Sequence, residues 1–162
     1  MTEKETFLKS WERESSTTLK ILKQLPHDKA DFTPTKEKTK SAKALAEVFV
    51  LEMGVIDQAI KGKIDFTTPP PKFATYADVL RGYESTYAAM SAKVKNMSDA
   101  DYNSTISFPA GPNKMADVRK ADVFWLMMQD SIHHRGQFSI YLRLVGAKVP
   151  SIYGPSADEP WM

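Results

Sequence analysis

Asp130-Ser131-Ile132-His133-His134-Arg135-Gly136-Gln137 sits inside a helical run from about residue 122 to residue 144, and its reading decides the fold. On a 3.6-residue period the inward stripe of that helix is Val123, Met127, Asp130, His134, Gln137, Tyr141 and Leu144, in alternating steps of four and three. Three consecutive members of a core stripe are therefore polar. Burying an unpaired carboxylate or imidazole costs on the order of several kcal/mol, so Asp130, His134 and Gln137 need partners, and one bound cation would serve all three.

Working outward, the rest of the chain reads as three more helices. Residues 3 to 25 carry Phe7, Trp11, Glu14, Thr18, Ile21, Leu22 and Leu25 on one face until Pro26 stops the run. Residues 41 to 61 turn Leu45, Phe49, Glu52, Ile56 and Ile60 inward, and Gly62 follows. Thr67-Thr68-Pro69-Pro70-Pro71 cannot lie inside a helix and makes a stiff link. Thr75-Tyr76-Ala77-Asp78 predicts a capping box that opens a helix over 75 to 97, with Tyr76, Leu80, Tyr83, Tyr87, Met90 and Val94 on its stripe. Residues 102 to 113 read as a long loop holding at most a short strand, and the last helix is expected over 117 to 145, with Gly146 as its stop. Four amphipathic helices with no repeat predict an all-α four-helix bundle with long connecting loops, a single domain over 1–162 whose topology stays open.

Composition limits the chemistry. With 162 residues, 42% of them hydrophobic, the chain can bury a core without staples. It has no cysteine, which excludes disulfides and thiolate zinc sites and argues for a reducing interior, so any metal must be held by N and O ligands. No apolar run reaches the roughly 18 residues of a membrane span, and the N-terminus has no apolar leader core; a soluble, cytoplasmic protein is the expectation. A net charge of +2, without a basic stripe or a recognised motif, leaves nucleic acid outside the expected partners. The densest basic patch is Lys36, Lys38, Lys40 and Lys43, which reads as a solvated connection into the second helix.

Helical phase decides which polar groups can meet. Glu52 lies within about 20° of Leu45 when each residue turns the helix by about 100°, whereas Glu47 points nearly opposite. The candidate metal ligands are therefore Glu52, Asp130 and His134, with Glu14, His133 and Gln137 around them. One imidazole with two carboxylates suits a divalent ion. The competing reading of Glu52 is a structural carboxylate bonded across the core, for which Tyr83 and Tyr87 are available.

The run His133-His134-Arg135-Gly136-Gln137-Phe138-Ser139-Ile140-Tyr141-Leu142-Arg143, followed by Val149-Pro150-Ser151-Ile152-Tyr153-Gly154-Pro155, resembles the C-terminal signature of the DinB/YfiT-like family of four-helix-bundle metalloproteins. The specific part of that resemblance is the last third of the chain. The family pattern has one histidine on the second helix and a His-x-x-x-His pair on the fourth. Here only His134 matches: Asp130 stands at the first position of the pair and Val48 at the second-helix position, with Glu52 one turn further on. The resemblance implies a metal-dependent enzyme of the hydrolase or thiol-transferase type acting on a small molecule between helices 2 and 4. Nickel or zinc is expected first, with manganese or iron as further options. Glu14 or His133 would be the proton carrier and Gln137 a cofactor-side contact. It also implies a homodimer, for which the aromatic, proline-rich tail over 153 to 161 offers apolar surface. The alternative from a different class is a metal-free bundle that binds a small ligand or only dimerises.

Overall fold

The computed structural model describes residues 1–65, 67 and 69–161; of the expected stiff link, Thr68 lies outside the described residues. Four long helices form the body: α1 (Glu3–Leu22), α2 (Ala42–Ile60), α3 (Tyr76–Asn96) and α5 (Lys120–Leu144). A single-turn helix, α4 (Asp99–Tyr102), and an antiparallel hairpin, β1 (Thr105–Gly111) and β2 (Lys114–Arg119), connect α3 to α5. No helix among the described residues is long and apolar enough to cross a membrane.

Local chemistry sets the helix starts. Thr2 caps α1 in a capping box with Glu5, and Ser41 accepts from the Ala44 N–H to open α2. The predicted box at Thr75 is present: its hydroxyl accepts from the Asp78 N–H at 3.1 Å while the Asp78 carboxylate accepts from the Thr75 N–H at 2.9 Å. At its other end α1 stops at Leu22, short of the expected residue 25, yet Leu25 stays buried in the turn before Pro26.

The larger difference concerns residues 102 to 119. Where the sequence reading expects a loop running into a helix from residue 117, Lys114 to Arg119 are a strand paired with β1, with Ile106 opposite Val118 and Phe108 opposite Ala116. Met115 and Ala116 favour helix locally, but Ile106 buries its side chain and Phe108 and Val118 pack on the core from the same sheet face. Pairing overrides propensity there. Asn113, at φ 54°, takes the left-handed conformation that the turn requires.

Each long helix packs on two others: α1 on α3 and α5, and α2 on α3 and α5. Consecutive α1 and α2 are therefore diagonal in the bundle, and residues 23–41 cross between them. Phe7, Trp11, Tyr102 and Phe124 form an aromatic cluster towards the hairpin, with ring centroids 5.7 to 6.4 Å apart. Phe49 meets Tyr83 and Phe138 edge-on elsewhere in the core. This arrangement puts α2 beside α5, so their inward polar residues face each other.

Candidate metal centre

Glu52 follows Leu45 and Phe49 on the buried face of α2, and α5 brings Asp130 and His134 against it one helical turn apart. His134 Nε2 lies 3.6 Å from Glu52 Oε1 and 3.7 Å from Asp130 Oδ2. One ligand atom from each of the three residues falls within 4.8 Å of the others. The sequence reading named this trio, and the structure brings it together.

Glu52 carries the information. Its side chain is 6% exposed, and neither carboxylate oxygen makes a hydrogen bond of normal geometry among the described residues; the polar groups beside it are His134 Nε2 at 3.6 Å and the Asp130 and Ser131 side chains. Tyr83 does not supply one, because its hydroxyl donates to the Ser15 carbonyl at 3.1 Å. Burial, and after it the charge of Asp130, push the Glu52 carboxyl up to about 9, with the Ser131 side chain opposing. In the metal-free protein the group is thus held in its protonated form at neutral pH. Glu47, the outward control, pairs with Lys43 at 2.7 Å and takes no part.

Gln137 organises the histidines. His134 Nδ1–H donates to Gln137 Oε1 at 3.0 Å, and the amide N–H donates to His133 Nε2 at 2.9 Å. With its proton on Nδ1, His134 presents a bare Nε2 lone pair towards Glu52 and Asp130. A ligating imidazole needs that tautomer. His133 is exposed and adjoins the trio through this amide and through its ring, whose centroid lies 5.3 Å from that of His134.

The structure commits Glu14 elsewhere. Its carboxylate accepts from Arg135 Nη2 at 2.7 Å, from the Tyr153 hydroxyl at 2.6 Å and from Arg13 Nε at 2.9 Å. Arg135 is 1% exposed and also donates to the Glu14 carbonyl. Burial pushes the Glu14 carboxyl up, but the bonds from Tyr153, Arg135 and Arg13 outweigh it and hold the group below the usual carboxylate range. A carboxylate with both oxygens occupied and a depressed pKa is a structural anchor and a poor proton carrier. The sequence reading missed Arg135 as the buried partner. Its signal lay in a second stripe on α5: Phe124, Met128, Ser131, Arg135, Phe138 and Leu142 also follow steps of four and three.

A cleft of about 410 Å³ opens beside His134 and Gln137, walled by Leu45, Ile140, Tyr141 and the segment before α2. The orphaned Glu52 carboxylate, the oriented His134 and the adjoining cleft all fit a divalent cation with N and O ligands.

The molecule is thus a helical bundle with a histidine–carboxylate cluster, buried at Glu52 and partly exposed at Asp130 and His134, able to coordinate a metal between two of its helices. The DinB family profile matches residues 1–161, and the chain belongs to the DinB family. It is 26% identical over 157 residues to YrdA, an uncharacterized protein of Bacillus subtilis (strain 168), a match that covers 94% of this chain and 89% of the relative. Among solved structures it is similar to a DinB-like protein from Bacillus cereus ATCC 10987, with TM-score 0.76 and 22% identity over 92% of this chain and 97% of the other. A second is the DinB-like protein YjoA of Bacillus subtilis, with TM-score 0.73 and 16% identity over 97% of this chain and 99% of that one. The colibactin self-resistance protein ClbS, solved in complex with double-stranded DNA, matches with TM-score 0.62 and 15% identity over 87% of this chain and 95% of its own. At these identities the solved structures bear on the fold alone.

Proposed function

We propose that the protein is a metal-dependent enzyme of the hydrolase or thiol-transferase type, which uses Glu52, Asp130 and His134 to hold a divalent ion and takes a small molecule in the adjoining cleft. The observation that carries this reading is the Glu52 carboxylate, buried and without a hydrogen bond of normal geometry, with His134 Nε2 facing it at 3.6 Å. A structural carboxylate of that burial normally has its hydrogen bonds satisfied. When bound, the ion would polarise a substrate carbonyl or lower the pKa of a thiol or of water. Nickel and zinc suit the imidazole, and the two carboxylates extend the choice to manganese and iron.

The chain's own groups supply the rest. Gln137 keeps His134 in the ligating tautomer. His133, exposed at the rim and bonded to the same amide, is the proton carrier in this proposal. The apolar walls at Leu45 and Ile140 exclude water from one side of a bound substrate. Turnover of activated esters, or conjugation of thiols to 1-chloro-2,4-dinitrobenzene, should be abolished by chelation and restored by one of these ions. Turnover indifferent to chelator, or absent with all four ions on both reactions, would contradict the assignment.

A homodimer of cytoplasmic copies belongs to the same proposal. Tyr153 and Trp161 in the tail remain 63% and 65% exposed, apolar surface that a second copy would cover. Sedimentation should give a dimer in the micromolar range; a monomer throughout that range would contradict it.

A further inference from the structure

The basic segment ahead of α2 is built onto the cleft. Residues 33–40 carry Lys36, Lys38 and Lys40 against a single acid, Glu37. The segment is tied down at both ends: the Ala42 N–H donates to the Phe32 carbonyl at 2.9 Å and the Lys43 N–H to the Ala30 carbonyl at 2.8 Å. Inside it, the Thr35 hydroxyl donates to the Glu37 carbonyl and the Thr39 hydroxyl to the Thr35 carbonyl, at 2.6 and 2.8 Å. Lys38 is held in the left-handed region at φ 60°, a conformation uncommon for a residue with a side chain. The Tyr141 hydroxyl of α5 then pins the Lys40 carbonyl at 2.9 Å. Residues 35–40 are exposed, and these bonds hold them in one conformation against the cleft.

Lys38 and Lys40 line the same cleft as His134 and Gln137. Neither forms an ion pair among the described residues, whereas Lys43 nearby is matched by Glu47. No carboxylate lines this cleft among the described residues, so the two ammonium groups carry its unbalanced charge. The remaining walls, Leu45, Ile140, Pro34 and the Tyr141 ring, are mainly apolar.

We propose that the cleft binds a small organic anion, its acidic head held by Lys38 and Lys40 and its apolar body laid between Leu45 and Ile140 towards His134. The inference deepens the functional reading by naming the substrate class, and the binding step itself needs no metal. Two cationic side chains near a surface-bound anion correspond to about a tenfold gain in affinity at low salt, falling as salt screens them.

The test uses two probes that share an apolar body, 8-anilinonaphthalene-1-sulfonate and the neutral N-phenyl-1-naphthylamine, titrated by fluorescence into metal-free and nickel-treated protein. Lys38→Gln with Lys40→Gln should weaken sulfonate binding about tenfold and leave the neutral probe unchanged, while Lys36→Gln changes neither. Ile140→Trp, which fills the cleft, should remove both. Equal sulfonate affinity in the double variant and wild type, parallel loss of both probes in the double variant, or sulfonate binding that survives Ile140→Trp would overturn the proposal. Nickel content is measured on the same samples. Charge discrimination without bound nickel or any other ion leaves the anion site standing and counts against the metal centre; bound metal without discrimination does the reverse.

Discussion

Two buried carboxylates receive opposite treatment in this protein. Glu14 is satisfied by an arginine and a tyrosine, and Glu52 makes no hydrogen bond of normal geometry on either oxygen. For Glu14 the consequence is a pH signature. Its folded pKa lies below the unfolded value of about 4.5, so its contribution to stability is fully present above that pH and is lost as pH falls through the folded value. Glu14→Gln should cost on the order of 3 kcal/mol near pH 7, because Arg135 then lies buried without its counter-charge, and the stability of the variant should vary less below about pH 4.5. Urea titrations from pH 3 to 7 measure both effects, and parallel curves for the two proteins would count against the anchor. Helical phase made Glu14, Glu52 and His134 legible as inward residues; Asp130 lies half-exposed at the edge of its stripe, and Gln137 and Leu144, expected on that stripe, are exposed. Arg135 was not legible, since a stripe of one residue per turn describes a helix with one neighbour, whereas α5 packs on both α1 and α2. The stripe towards α2 carries the candidate ligands; the other carries the arginine.

At the scale of elements, the first three long helices start within a residue of their expected positions, whereas α5 starts at Lys120 instead of 117, because the hairpin before it escaped a reading blind to non-local pairing. Thr105 to Arg119 holds few β-branched residues in its second half, and only the partner strand and the core beneath Ile106 make that half extended. The connection before α3 is also packed more closely than its composition suggests. Phe73 lies against Gly82 of α3 so tightly that a Cβ there would sit 2.5 Å from its ring. Gly82→Ala should therefore destabilise by about 1 kcal/mol, the crowding outweighing the better helix propensity of alanine. In a Phe73→Ala background the obstacle is gone, and the same change should stabilise by about 1 kcal/mol. Thermal or denaturant unfolding of the four proteins gives the sign in each background. The same sign in both would mean that Phe73 does not rest on α3. The C-terminal segment is fastened too: Tyr153 reaches Glu14 and Arg135, Asp158 pairs with Arg143, and Trp161 Nε1–H donates to Ser151 Oγ at 2.9 Å.

In the whole molecule, the site depends on which helices are neighbours. Four apolar stripes made a bundle legible, and the resemblance in residues 133–155 pointed to the family that the profile then matched over nearly the full chain. Stripes do not say that α1 and α2 lie diagonally or that α2 adjoins α5, because adjacency follows from connection lengths and from the hairpin that carries the chain from α3 to α5. That adjacency turns three separated residues into one cluster. The central claim is that the cluster is a metal centre, and metal content of untagged protein after equilibrium dialysis against nickel, zinc, manganese and ferrous iron tests it most directly. Wild type should retain one equivalent of one of these ions, His134→Ala none, Glu52→Gln at least about tenfold less at limiting metal, and Glu47→Gln the wild-type amount, since that side chain is paired with Lys43. Wild-type protein that retains none of the four ions, or Glu47→Gln that loses metal as Glu52→Gln does, would contradict the account.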